Sequence, residues 1–266
     1  MNFGFAQRLI LPVFEALQRA GEISNQPGVF MPSTFRIFIT FLAMVAGTQV
    51  FAAPVEKLDY FVFLVTGKST QGTPKEEIEK MQASHLENFG RLAKIGELSA
   101  AGPCADPEKI VRGIVVINAK SMADAESKFG PDPYVSEGFM KTEIHQYQNV
   151  AGKFVIPADA TKMEKNVIVI FLKDEKWPTD VAKQKGVLDK LSAFAKQQYT
   201  AGKLGFAALF DEQATSKSPR VAVMIFRSDD LDAVTKSMGE LEAVADKAIR
   251  VQVFAQYLVK EAMPSE

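Results

Sequence analysis

From residue 60 onward the apolar positions fall into two patterns, unbroken runs and helical stripes. Tyr60-Phe61-Val62-Phe63-Leu64-Val65 is an apolar run of strand length. Ile78, Met81, Leu86, Phe89 and Leu92–Ala93, with His85 among them, recur every three or four residues and predict a helix over 75–94. Thr73-Pro74 suits its start, Glu76 and Glu77 suit the positive end of its dipole, and Gly96 suits its stop. Leu98 to Gly102 then reads as a strand, Pro103 to Lys109 as a turn, and Gly113 to Asn118 as a second β-branched strand. Met122 to Phe129 reads as a short helix with Ser121 at its N-cap, and Thr142 to Tyr147 as a closing strand.

The same pattern returns. Val167 to Leu172 is an apolar run, and Val181 to Thr200 carries Val187, Leu188, Leu191, Phe194 and Ala195 on one helical face. Val221 to Phe226, Leu231 to Met238 and Ile249 to Tyr257 supply a strand, a helix and a strand. Gly96-Glu97-Leu98 and Gly202-Lys203-Leu204 lie 106 residues apart, and Tyr147 and Tyr257 lie 110 apart. A nearly constant offset means two copies of one unit. Gly152 to Lys165, with Pro157, reads as the linker.

The order within each copy, β-α-β-β-α-β, is that of the ferredoxin-like split unit, which leaves one sheet face uncovered by helices. Strands that are apolar at nearly every position are built for burial on both faces. The predicted fold is therefore α+β, with two ferredoxin-like units packed sheet to sheet as an intramolecular dimeric α/β barrel. The expected divisions are 1–52, 53–150, a linker over 151–165, and a degenerate second unit over 166–260.

Residues 1–52 stand apart. Arg36 precedes 11 uncharged residues, Ile37 to Gly47, and Val50 and Ala52 then sit at the −3 and −1 positions of a small-residue cleavage site. That is the layout of a secretory signal peptide. The apolar core is shorter than the roughly 20 residues of a spanning helix. Met31 lies five residues before Arg36, so the expectation is that translation starts at Met31 and that residues 1–30 are an upstream misreading of the frame. The mature protein is expected in a bacterial periplasm or secreted, with no membrane association once the signal is removed.

Charge and composition then remove classes of function. The 266 residues carry 31 basic and 32 acidic side chains. Nothing in that balance suits nucleic acid, which needs a basic face. One cysteine, Cys104, excludes an intramolecular disulfide, and neither metal-ligand spacing nor a phosphate-binding glycine loop occurs. No metal and no cofactor is expected.

Two features can carry chemistry. His85 is one of two histidines and lies at the inner edge of the first long helix, where its near-neutral pKa suits general acid–base work. In Gly130-Pro131-Asp132-Pro133-Tyr134 two prolines immobilise an aspartate, which can orient an imidazole and stabilise its protonated form. The second copy has Leu191 in place of the histidine and Met238-Gly239-Glu240-Leu241-Glu242-Ala243 in place of the turn. Cys104 reads as a free loop thiol, and His145 as a packing or surface residue on the last strand of the first copy.

These residues resemble the YCII-related family. The likeness runs through His85-Leu86-Glu87-Asn88-Phe89, Gly96-Glu97-Leu98, Ala101-Gly102-Pro103, Arg112-Gly113, Ser121 with Ala125, Asp132-Pro133-Tyr134 and Gly138, across residues 60–147. The resemblance implies a dimeric α/β barrel with a His–Asp site in a cleft. His85 and Asp132 would be that pair, and Gly102, Pro103 and Tyr134 would line the cleft. It also implies a small cyclic or aromatic ligand, handled by cofactor-independent isomerase- or lyase-like proton transfer. The export signal departs from the mostly cytoplasmic family. A non-catalytic ligand-binding or structural module stays open beside the enzyme, as does assembly into a homo-oligomer.

Overall fold

The computed structural model describes residues 57–157, 161–211 and 218–264. The signal segment, with the rest of residues 1–52, lies outside them. The first half runs β1 (Leu58–Thr66), α1 (Lys75–Lys94), β2 (Leu98–Ala105), β3 (Val111–Ala119), α2 (Met122–Ser127), α3 (Pro133–Ser136) and β4 (Met140–Gly152). The second runs β5 (Met163–Lys173), α4 (Val181–Thr200), β6 (Leu204–Phe210), β7 (Arg220–Phe226), α5 (Leu231–Gly239), α6 (Glu242–Ala245) and β8 (Ile249–Val259). The fold is mixed α and β, built on an eight-stranded antiparallel barrel.

The strands close in the order β1-β3-β2-β8-β5-β7-β6-β4. Each half contributes four neighbouring strands in one internal order, β4-β1-β3-β2 and β8-β5-β7-β6. Two seams join them. At one, Cys104 and Ala105 of β2 face Gln256 and Ala255 of β8; at the other, β4 from Tyr147 to Gly152 faces β6 from Phe210 to Phe206. Among the described residues every strand of the barrel has a paired neighbour on each side.

Closure also explains the unbroken apolar runs. Alternate residues of β1 point opposite ways. Phe61 and Phe63 enter the barrel with Ile114, Ile168, Phe206 and Phe254, and the Phe61 and Phe206 rings stack across the two halves at 6.2 Å. Val62 and Leu64 face outward against Leu92 of α1 and Ala125 of α2. In the second half Val167 and Val169 meet Leu191 and Ala195 of α4 and Val234 of α5 in the same way. Each such side chain, once fully buried, contributes roughly 1.5–3 kcal/mol.

The long helices occupy the predicted spans. Gly96 and Gly202 follow them with φ of +68° and +72°, the left-handed conformation that closes a helix and favours glycine.

Three stretches depart from the expectation. Pro103 lies inside β2 rather than in a turn. Its pairing with Gly113 is the last rung toward β3, and the next residue begins the seam; the missing N–H is tolerated at that crossing point. Strand β4 extends to Gly152 and β5 begins at Met163, so the connector is shorter than 151–165. Both extensions exist because the strands pair across the chain, with β6 and with β8. Pro133–Ser136, read as part of a turn, forms the helical turn α3.

Candidate functional site

Asp132 is the N-cap of α3, with Pro133 fixing the first helical residue. Its Oδ1 accepts the Tyr134 backbone N–H at 3.0 Å. Capping sets the carboxylate in one orientation and directs Oδ2 at His85 on α1, where the contact to Nδ1 is 2.5 Å. Asp132 is completely buried and His85 is 7% exposed.

The surroundings are aromatic. The His85 ring lies 4.4 Å from the Phe89 ring and 5.6 Å, edge to face, from the Tyr134 ring. The Tyr134 hydroxyl donates to the Ile78 carbonyl at 3.4 Å. Burial raises the Tyr134 phenol above its ordinary range; Arg112 opposes the shift and Asp132 adds to it. Met81, Tyr134 and Phe139 form an apolar floor, with Ile78 and Met140 packed against it.

Asn88 belongs to this construction and was not picked out from the sequence. It is buried, donates to the Lys128 carbonyl at 3.1 Å and accepts from Arg91 at 2.9 Å. It ties α1 to the chain just before Asp132 and so holds the pair in register. The available signal was a polar residue three positions after His85 on an apolar face.

A carboxylate is acceptor-only, so Asp132 fixes the proton on Nδ1 and leaves Nε2 as the working nitrogen. That nitrogen is not sealed without a partner, whereas both ring nitrogens of His145 are. With Nδ1 held, Nε2 is the nitrogen placed to face a bound molecule, the geometry of an imidazole oriented by a buried acid.

Of the five predicted residues, His85, Asp132 and Tyr134 converge. Gly102 and Pro103 stand at the β2–β8 seam. A Cβ on Gly102 would meet the Tyr257 carbonyl oxygen at 1.9 Å, so this glycine serves the close approach of two strands rather than a cleft. Pro103 is exposed. Cys104 is likewise on β2 and packs against the barrel interior. Burial, with Asp106 nearby, pushes its thiol far above the usual range, which suits packing and not reactivity. His145 is fully buried inside the barrel, stacked on Phe210 at 4.5 Å. Among the described residues no group of three or more side chains could hold a metal ion.

The second half supplies an internal comparison. His85 and Leu191 are both the eleventh residue of a 20-residue helix. Asp132 and Leu241 are both the N-cap of a four-residue helix, and Leu241 has no capping side chain. Leu191 and Leu241 belong to one apolar cluster. The scaffold thus closes this corner with two leucines in one half and with an acid–base pair in the other.

No protein-family model and no curated protein matches the chain. Solved structures do. A protein provisionally assigned as a chlorite dismutase is 9% identical with a TM-score of 0.50, over 78% of this chain and 97% of that one. A heme-binding protein from Thermus thermophilus is 10% identical with a TM-score of 0.48, over 78% and 94%. Chlorite dismutase from Candidatus Nitrospira defluvii is 8% identical with a TM-score of 0.47, over 76% and 90%. At these identities the first likeness bears on the fold alone: this chain shares its architecture with proteins of that kind.

Proposed function

We propose that this chain is an exported, YCII-related protein made of two ferredoxin-like units, and that its first unit binds a small cyclic or aromatic molecule at the His85–Asp132 site. There Nε2 of His85 moves a proton in a cofactor-independent isomerisation or elimination. The observation that carries this reading is the 2.5 Å contact between a capped, buried carboxylate and an imidazole, at a corner that the second half closes with Leu191 and Leu241. The ring faces of Phe89 and Tyr134 suit a flat ligand. Export rests on the pattern from Arg36 to Ala53, and the YCII relationship on the motifs of residues 60–147.

A non-catalytic binding module is the second reading. It is favoured by the low exposure of His85, 7%, which leaves little of the ring for a substrate to reach.

The test is a thermal-shift and turnover screen of phenols, catechols, benzoates and unsaturated lactones on wild type, His85→Ala and Asp132→Asn. The enzyme reading expects a binder that wild type converts and His85→Ala binds but does not convert. Binding without conversion supports the module. Conversion that survives His85→Ala overturns the role given to this residue.

A further inference from the structure

A recess lies away from His85 and Asp132, at the barrel end where β4 finishes. It is a cavity of about 110 Å³, and both halves build it. Asp59 of β1, Tyr147 of β4 and Lys153 just after β4 bring a carboxylate, a phenol and an ammonium to it. Phe206 of β6 and Phe154 form its aromatic side, their rings 4.3 Å apart, and Tyr147 meets Phe206 edge-on at 5.7 Å. Ser99 and Asn149 complete the wall. The Asn149 amide N–H₂ is engaged by the Gly152 carbonyl at 2.8 Å, which leaves its oxygen as an acceptor.

Asp59 and Lys153 line one small cavity, and their side chains, both exposed, form no hydrogen bond or ion pair among the described residues. Desolvation by the neighbouring protein raises the Asp59 carboxyl above the ordinary carboxylate range, although the residue is exposed. Burial, with the same carboxyl nearby, pushes the Tyr147 phenol up. A simple cation would be repelled by Lys153 and a simple anion by Asp59. A molecule carrying both charges satisfies both groups, and the partly exposed rings of Phe154 and Tyr147 add cation–π attraction for its ammonium end. The recess is small and half open to solvent, so it seats the charged end groups of a short molecule.

We propose that this cavity binds a small zwitterion of the amino-acid class, its ammonium against Asp59 and the aromatic rings and its carboxylate against Lys153. The site is independent of His85 and Asp132.

The test is NMR titration of the protein with glycine, β-alanine and γ-aminobutyrate, which differ in charge separation, and with methylammonium and acetate as single-charge controls, each to about 50 mM. One amino acid is expected to shift Asp59 and Tyr147 resonances with a dissociation constant in the millimolar range, and both controls to bind at least about tenfold more weakly. Asp59→Asn and Lys153→Gln should each weaken it about tenfold, and His85→Ala should leave it unchanged. Lys153 lies on an exposed segment, so its variant reports even if Asp59→Asn proves poorly folded. The proposal falls if no amino acid shifts those resonances, if methylammonium binds as well as the amino acid, or if Lys153→Gln is without effect. Loss of this binding in His85→Ala alone would also overturn it, by placing the ligand at the other site.

Discussion

Asp132 divides its carboxylate between two tasks: Oδ1 caps the helical turn that starts at Pro133, and Oδ2 holds Nδ1 of His85. The residue that orients the imidazole is therefore itself oriented by the backbone.

That double use predicts an asymmetry among variants. Asp132→Ala removes a cap and leaves a buried imidazole nitrogen unpaired, and is expected to cost roughly 2–4 kcal/mol. The double variant His85→Leu/Asp132→Leu copies the second half and should cost less than Asp132→Ala alone, because replacing a buried polar pair by apolar groups is often near neutral. Urea unfolding of the two proteins checks the order, and a double variant less stable than the single would refute it.

His145 gives the fold a pH dependence. Desolvation, reinforced by Arg220, lowers its pKa from 6.5 to about 4. The unfolded chain takes up a proton near pH 6.5 that the folded chain refuses until near pH 4. Stability is thus complete above pH 6.5 and declines as pH falls through this window, by about 3 kcal/mol in all. Carboxylates add their own acid losses, so the measurement is a difference: urea midpoints at pH 7 and 4.5 for wild type and His145→Leu. The variant should lose less stability over that interval.

Two glycines should respond in opposite directions to alanine. At Gly102 the new methyl would lie 1.9 Å from the Tyr257 carbonyl oxygen, whereas at Gly186 it would meet nothing within 4 Å. Gly186→Ala lies in an exposed turn of α4 and should stabilise by about 0.5–1 kcal/mol. Gly102→Ala should destabilise by at least about 2 kcal/mol, since backbone must move at the seam. Thermal melts of both variants decide the signs.

The two halves are also joined by charge. Arg220 of β7 pairs with Glu143 of β4 and lies over the Phe63 ring at 4.8 Å. The Arg220 side chain is 6% exposed and the Glu143 side chain 38%. Glu143→Gln strands a buried guanidinium and should cost up to about 3 kcal/mol; Arg220→Met leaves a carboxylate that water can reach and should cost less. Denaturation of the two single variants tests that order.

The ladder within each half was legible from pattern alone. Lys75–Lys94 and Val181–Thr200 show their helical period plainly because each helix packs one stripe on a neighbouring sheet. His85 and Asp132 stood out because the second half has neither, and Tyr134 came with them through the resemblance of Asp132-Pro133-Tyr134 to the YCII-related motif. What was hidden depends on partners far away in the chain. Pro103 and Gly102 look like turn or cleft residues until β8 is placed beside them, and the ends of β4 and β5 look like linker until β6 and β8 pair with them. Asn88 hid within a helical stripe, since its bonds reach Lys128, 40 positions on.

Barrel closure within one chain has a further effect, on dilution. A barrel formed from two separate chains comes apart as protein concentration falls, whereas here each half meets the other at a fixed effective concentration set by the short connector. Two identical chains must also carry every site twice. Linked halves need not: one corner holds an acid–base pair and its counterpart holds leucines, giving a stoichiometry of one such pair per barrel.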